Sequence, residues 1–310
     1  MEILIQVVLL AIGFVMLIKG ADWFVEGTSG FAERFGIPQL IIGLTIVAMG
    51  TSMPEAAVSV AAALKGSAGI AIGNVMGSNI LNILIILGIT AVILALPVGK
   101  STVQIELPFM IGISILLLVF CMTGNQIDFR EGILLWTAFI AYLAYLLIMA
   151  KRNREEITET EKRSPIWKLL ICTAGGLGLI ILGSDMTVDA ATKIATAWGM
   201  SERFIGLTIV AFGTSLPELV TSVSAAVKGK ADIAIGNIVG SNIFNILFVL
   251  GTSALITSIP FEGKFFVDGI IVIAAGVFLW LAVLRGHKLG RAAGGAMLAG
   301  YAAYFIYLIQ

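Results

Sequence analysis

Cysteine, histidine and charge are scarce in this chain of 310 residues. It has two cysteines, one histidine and 12% charged residues, where a soluble domain has about 25% charged residues. Cys121 and Cys172 lie in separate apolar segments, which excludes a disulfide framework and a zinc site. The 19 basic residues balance 19 acidic ones, so no positive field attracts nucleic acid. We therefore expect no nucleic-acid partner.

Apolar residues make up 59% of the chain, and the mean hydropathy is +1.04. This composition leaves too little polar surface for a soluble enzyme and indicates an integral membrane protein embedded in the lipid bilayer. A membrane helix needs about 20 apolar residues. On that basis we predict an all-α protein with ten transmembrane helices at residues 3–33, 38–65, 69–96, 103–123, 127–150, 166–196, 203–228, 232–258, 264–284 and 290–309.

The one sizeable polar segment, residues 151–165, is too short and too charged to fold alone. It predicts a linker between a first half, residues 1–150, and a second half, residues 166–310. With ten spans and both termini on one side, the opposite loops hold thirteen basic residues and the side of the termini holds five. Basic loops favour the cytoplasm. We expect a cell-membrane protein with both termini extracellular and the 151–165 loop cytoplasmic.

The two halves are copies of one unit, shifted by 163 residues. Ile42–Ser52 and Ile205–Ser215 differ at one position in eleven, and Ile70–Ile83 and Ile233–Ile246 at three in fourteen. Each copy has five predicted spans, an odd number, so the second must enter the membrane from the opposite side. In transporters, such inverted repeats place the binding site at their interface, near the midplane.

The second and seventh predicted spans carry Gly-Thr-Ser-x-Pro-Glu, ending at Glu55 and Glu218. Because proline clashes with the carbonyl four residues earlier, both helices should break at the midplane and leave the carbonyls of Ala48–Gly50 and Ala211–Gly213 without helical partners. A free carbonyl at that depth must line a polar cavity or be buried in protein. An ionised glutamate there costs about 2.5–3.5 kcal/mol, which favours a bound cation.

The third and eighth predicted spans repeat Gly-Asn-x-x-Gly-Ser-Asn-x-x-Asn. Asn74, Ser78 and Asn82 share a helix face, as do Asn237, Ser241 and Asn245. With the glutamates, these residues offer oxygen ligands alone, which suit Ca²⁺ or Na⁺ rather than zinc, copper or iron. Outside this set, Asp22 and Asp185 occupy equivalent positions, and we expect them to cap or pair at the membrane edge.

These motifs resemble the paired repeats of the cation/calcium exchanger superfamily, specifically the prokaryotic sodium/calcium exchangers. The resemblance implies ten spans in two inverted halves and a long, loosely packed first and sixth helix that slide to alternate access. It also implies that Glu55 and Glu218 bridge Ca²⁺ and help to hold Na⁺. Further oxygen ligands are implied at Thr51, Ser52, Ser78, Asn82, Thr214, Ser215, Ser241 and Asn245, with carbonyls at Ala48 and Ala211.

We therefore predict a sodium/calcium antiporter that exports Ca²⁺ in exchange for Na⁺ by alternating access, works as a monomer and needs no cofactor. Proton or potassium coupling through the same site is the alternative. Potassium-dependent and some archaeal relatives carry Asp at the position of Asn245, so the loss of this possible carboxylate disfavours potassium co-transport. A channel fits a duplicated broken-helix site less well. We do not expect an enzyme, because the paired-aspartate motifs of membrane proteases and prenyl transferases are lacking.

Overall fold

The computed structural model describes residues 2–153, 164–199, 211–261 and 263–309. Each half of the chain begins with a long helix, α1 at Glu2–Phe35 and α9 at Ile166–Ala197. The first half continues with α2 (Gln39–Ile42), α3 (Ala48–Thr51), α4 (Met53–Leu64), α5 (Gly69–Ile80), α6 (Gly88–Ile93), α7 (Leu107–Gly124) and α8 (Phe129–Arg152). The described part of the second half continues with α10 (Ala211–Thr214), α11 (Leu216–Val227), α12 (Ala231–Phe244), α13 (Gly251–Ile256), α14 (Lys264–Leu284) and α15 (Arg291–Ile309).

In the part of the chain that the structure describes, four stretches of wider, π-helical backbone continue or precede these helices: π1 (Gly43–Val47), π2 (Leu81–Leu87), π3 (Thr102–Glu106) and π4 (Asn245–Leu250). Two of them, π2 and π4, lie at nearly equivalent positions of the two halves. Each contains the last asparagine of its polar motif. Since π-helical turns are frequent at functional sites, this irregularity marks Asn82 and Asn245.

The helices confirm the prediction of an all-α, multi-pass membrane protein. Within the described residues, seven helices are long and apolar enough to cross a membrane, or eight if the bent pair Gln39–Thr51 and Met53–Leu64 is one span. Two predictions fall largely outside those residues: the linker, of which 154–163 are not described, and the start of the seventh span, through residue 210.

Burial separates a central pair of helical segments from a peripheral pair. In the most apolar 18-residue stretch of Ala231–Ile256, 94% of the residues are buried, and in that of Gly69–Ile93, 72%. The corresponding shares in α1 and α9 are 17% and 22%. The polar repeat motifs therefore lie at the centre of the bundle, and the two long helices lie at its surface.

The long helices pack closely against each other, and the expectation that they pack loosely against the rest of the bundle stays a prediction. A Cβ atom added to Gly20 would lie 2.8 Å from the Gly176 carbonyl oxygen, and one added to Gly183 would lie 2.9 Å from that of Gly13. Small residues permit such close helix contact in membranes. The contact makes α1 and α9 one structural unit on the side of the bundle.

Two short antiparallel ladders join the halves. Strand β1 (Leu96–Pro97) pairs with β4 (Lys288–Leu289), and β2 (Gln126–Ile127) pairs with β3 (Ile259–Pro260). Pro97 and Pro260 are repeat equivalents, so the two ladders are equivalent as well. They tie the connection after α6 to that after α14, and the connection after α7 to that after α13.

Candidate functional site

Both polar helices break at the serine of Gly-Thr-Ser-x-Pro-Glu, as predicted. Ser52 has φ −84° and ψ 9°, Ser215 has φ −92° and ψ 3°, and the first break bends the helix by 49°. Pro54 and Pro217 are the second residues of α4 and α11, in the first turn, where no helical hydrogen bond needs their missing N–H. Glu55 and Glu218 consequently lie in the first turn of a half-helix, where the helix dipole favours a carboxylate.

The two carboxylates are buried and are held by serines of the opposite repeat. Ser52 Oγ donates to Glu218 Oε1 at 2.7 Å, and Ser215 Oγ donates to Glu55 Oε1 at 3.3 Å. Ser78 Oγ lies 3.4 Å from Glu55 Oε1 as a further donor. Glu55 and Glu218 are 1% and 0% exposed. The breaks thus interlock, so that the site is one cluster built by both halves.

The amide groups of Asn82 and Asn245 are oriented by two other asparagines. Asn82 Nδ2 donates to Asn242 Oδ1, and Asn245 Nδ2 donates to Asn79 Oδ1, both at 3.1 Å. Each amide therefore uses its donor on the far repeat. Asn79 and Asn242 were not among the predicted ligands, although the doubled Gly-Ser-Asn motif contains them.

Four of the buried oxygens that have no hydrogen-bond partner among the described residues belong to this cluster: Glu55 Oε2, Glu218 Oε2, Asn82 Oδ1 and Asn245 Oδ1. An unsatisfied buried polar atom costs about 1–3 kcal/mol. The two ionised carboxylates have no N–H or O–H donor, and the two amides direct their N–H groups to other asparagines. The four oxygens can therefore only accept. The chemistry of this donor set fits a hard cation.

The other predicted ligands are placed as follows. Thr51 Oγ1 bonds to Asn237 Oδ1 at 3.0 Å, and Ser241 Oγ lies 3.4 Å from the Ala48 carbonyl oxygen. The expectation that this carbonyl lacks a helical partner is wrong, because it accepts the Ser52 N–H at 3.1 Å. The α-helical geometry continues through Thr51, which is one residue beyond the predicted gap at Ala48–Gly50. The side chain of Ala211 lies outside the described residues.

Asn74 and Asn237 support the two half-helices instead of facing the glutamate side chains. Asn74 Nδ2 donates to Ser59 Oγ at 2.9 Å and to the Glu55 carbonyl at 3.1 Å. Asn237 Nδ2 makes the equivalent bonds to Ser222 Oγ at 2.9 Å and to the Glu218 carbonyl at 3.4 Å. These bonds fix the depth at which each glutamate is held.

A cavity of about 670 Å³ lies between α9 and the first broken helix. Its walls include Pro54, Thr214 and the acidic residues Asp185 and Asp189. On the equivalent side of the other repeat, Asp22 instead forms an ion pair with Lys228 at 3.0 Å. The expectation of a paired aspartate is confirmed at Asp22, whereas Asp185 has no ion-pair partner among the described residues.

The bundle consists of membrane-length helices around a buried cluster of oxygen acceptors that fits a cation. These features are typical of an integral membrane protein of the ion-transporter class. The sodium/calcium exchanger protein family matches residues 5–148 and 168–310. This chain belongs to that family.

Full-length relatives and solved structures agree with the assignment. The chain is 35% identical to the inner membrane protein YrbG of Escherichia coli, over 98% of this chain and 97% of that protein. It is 31% identical to the sodium/calcium exchanger MaX1 of Methanosarcina acetivorans, over 99% of each. A structure of the sodium-calcium exchanger NCX_Mj superposes with a TM-score of 0.87 at 32% identity, over 99% of both chains. The similarity therefore extends over the whole transmembrane bundle.

Proposed function

We propose that this protein is a sodium/calcium antiporter that exports Ca²⁺ while Na⁺ enters down its gradient. The observation that carries the proposal is the set of four unpartnered acceptor oxygens on Glu55, Glu218, Asn82 and Asn245. Two carboxylates match the charge of one Ca²⁺ or of two Na⁺. Because both ions use the same charges, they compete for one site, which is the requirement for exchange.

In this proposal Glu55 and Glu218 bind Ca²⁺ directly, and the oxygens of Asn82 and Asn245 complete its coordination. Thr51, Ser52, Ser78, Thr214, Ser215 and Ser241 contribute hydroxyl or backbone oxygens to Ca²⁺ or Na⁺, together with the carbonyls of Ala48 and Ala211. The serines that now donate to the glutamates can turn their lone pairs to an ion once the carboxylates are neutralised by it.

Sodium is favoured over potassium as the coupled ion because Asn245 is neutral. An aspartate at this position adds a third carboxylate, and its absence leaves no charge for an additional cation beside Ca²⁺. Proton coupling is the alternative, since a carboxylate that binds a cation can also bind a proton.

We further propose ten spans arranged as two inverted five-helix repeats, with the termini extracellular and the linker cytoplasmic. The equivalent ladders β1–β4 and β2–β3 support this arrangement, because each joins two connections that the ten-span topology places on the same side. The cavity beside Asp185 then faces outward. We propose a functional monomer, because the two repeats of a single chain already bring both glutamates into one cluster.

Purified protein in liposomes tests the coupling. Vesicles loaded with Na⁺ and diluted into Na⁺-free buffer should take up ⁴⁵Ca²⁺, and adding K⁺ to either side should not change the rate. Vesicles carrying the Glu218→Gln variant are the control for leakage. Uptake that follows a pH gradient and ignores Na⁺ would replace sodium by proton coupling.

A further inference from the structure

The two repeats carry the same two charged residues at equivalent positions. Asp22 corresponds to Asp185, and Lys65 corresponds to Lys228, each 163 residues apart. Lys65 and Lys228 both end a half-helix as its C-cap and are followed by a glycine with positive φ, +75° at Gly66 and +73° at Gly229. The local backbone therefore presents the two lysines in the same way.

Of the two equivalent pairs, Asp22–Lys228 and Asp185–Lys65, only the first is formed among the described residues. Lys228 Nζ lies 3.0 Å from Asp22 Oδ1 and also donates to the Asp22 carbonyl at 2.8 Å. Ser224 Oγ donates to the same carboxylate at 2.9 Å. Asp185 and Lys65 are both exposed, and Asp185 borders the 670 Å³ cavity. The same residues are thus joined at one face of the bundle and separate at the other.

The burial of the half-helices follows the same division. Met53 and Val58 on α4 are 47% and 42% exposed, whereas their equivalents on α11, Leu216 and Thr221, are 8% and 0% exposed. Helix α1 packs on α11 and leaves a smaller cavity of about 390 Å³ beside Asp22, whereas α9 leaves α4 open to the 670 Å³ cavity. Asp22 lies beside Ser224 and Lys228. The α4 residues that line the cavity together with Asp185 include Ala57 and Val58, which precede Ala61 and Lys65 by one to two helical turns, or roughly 5–10 Å.

We propose that Asp22–Lys228 and Asp185–Lys65 are alternately formed ion pairs, and that each closes one face of the transport site. This proposal rests on the proposed antiporter function, in which the two faces of the site open alternately. Since glycines lock α1 to α9, the two helices move together, so that the slide which brings Asp185 to Lys65 draws Asp22 away from Lys228. The four residues are positioning residues: they set which face is open without touching the transported ion.

The two pairs are not equal in strength. Ser224, which adds a hydrogen bond to Asp22, corresponds to Ala61 in the first repeat. The Asp185–Lys65 pair consequently lacks that donor, which favours the state with Asp22 bonded to Lys228.

Thiol labelling in lipid nanodiscs, where reagents reach both faces, tests the exchange of pairs. In a background with Cys121 and Cys172 replaced by serine, Thr221→Cys reports the opening of α11, and Val58→Cys reports the opening of α4. Lys228→Gln should raise the labelling rate of Thr221→Cys about two- to fivefold, as expected from the loss of one half-exposed ion pair. Lys65→Gln should lower it by a similar factor, and Val58→Cys should respond in the opposite sense.

A charge exchange separates pairing from a general structural effect. Asp22→Lys alone should open α11, and adding Lys228→Asp should restore the original labelling rate. Changes of the same sign in Lys65→Gln and Lys228→Gln, or failure of the exchanged pair to restore the rate, would overturn the proposal. Labelling needs no ion gradient, so this result stands apart from the Na⁺-driven uptake that tests the proposed function.

Discussion

The two repeats have the same structure at the centre of the bundle and different structures at its edge. At the centre, both helices break at serines with nearly the same backbone angles, and each serine bonds to the glutamate of the other repeat. At the edge, Asp22 is bonded to Lys228, while Asp185 stands at an open cavity. Repeated sequence thus produces a repeated site, and the asymmetry resides in the long helices packed around it.

This division explains how one chain can hold an ion firmly and still release it to two sides. The ligand candidates lie on the buried central segments, which share hydrogen bonds across the repeats. The peripheral pair α1 and α9 meets water and lipid along most of its length. A movement of the periphery can therefore change access without rebuilding the centre.

The largest expected effect comes from removing one charge at the centre. Glu55→Gln and Glu218→Gln preserve shape but leave a doubly charged ion with one carboxylate, and loss of one partner of a buried charge pair costs about 3–5 kcal/mol. Each variant should weaken Ca²⁺ exchange by roughly a hundredfold or more in ⁴⁵Ca²⁺ uptake. Acidic pH should act in the same direction, because protons compete with Ca²⁺ for these carboxylates.

Glu131→Gln is the matched control for these two variants. Glu131 belongs to the capping box of α8, where glutamine serves equally well, and the substitution removes the same charge outside the site. It should transport at the wild-type rate. Near wild-type uptake by Glu55→Gln or Glu218→Gln would place the ion site elsewhere.

A smaller effect should follow from removing a neutral oxygen at the centre. Asn82→Ala and Asn245→Ala each delete one unpartnered acceptor, and each should weaken Ca²⁺ affinity about tenfold, or ~1.4 kcal/mol. Calcium titrations of uptake measure the change. Asn153→Ala, at the end of α8, is the control. A loss as severe as that of the glutamine variants would indicate that these amides hold the fold of the site.

The two serines should sharpen the comparison between repeats. Ser52 lies 2.7 Å from Glu218, and Ser215 lies 3.3 Å from Glu55. If these lengths reflect the strength with which each carboxylate is held, Ser52→Ala should lower the rate of Ca²⁺ exchange several-fold and Ser215→Ala less. Equal losses in the two variants would show that the two serines contribute equally during transport.

The smallest effect on transport is expected at the linker. Asn153→Cys, just after α8, should leave uptake unchanged and react with impermeant thiol reagents only from the cytoplasmic side. The label should appear in inverted vesicles and be absent in intact cells. Labelling of intact cells would reverse the proposed orientation, and with it the side on which the cavity opens.

Part of the site could be predicted because its signals are local. Proline at position 54 removes a helix donor wherever the helix lies, so the break and the new helical first turn at Glu55 follow from sequence alone. The spacing of Asn74, Ser78 and Asn82 likewise places them on one face. The roles of Asn79 and Asn242 could not be predicted in this way, because each depends on the asparagine that it contacts across the repeat interface.

The sequence by itself determined the membrane class, the duplicated architecture, the broken helices and the set of oxygen-bearing side chains, since composition, periodicity and proline act through local chemistry. Tertiary structure alone decided that Ser52 holds Glu218 and Ser215 holds Glu55, because those partners are more than 150 residues apart. It also decided that Lys228 is paired with Asp22, while Lys65 has no ion-pair partner within the described residues. The two lysines have the same local backbone, and only the position of α1 and α9 against the rest of the bundle distinguishes them.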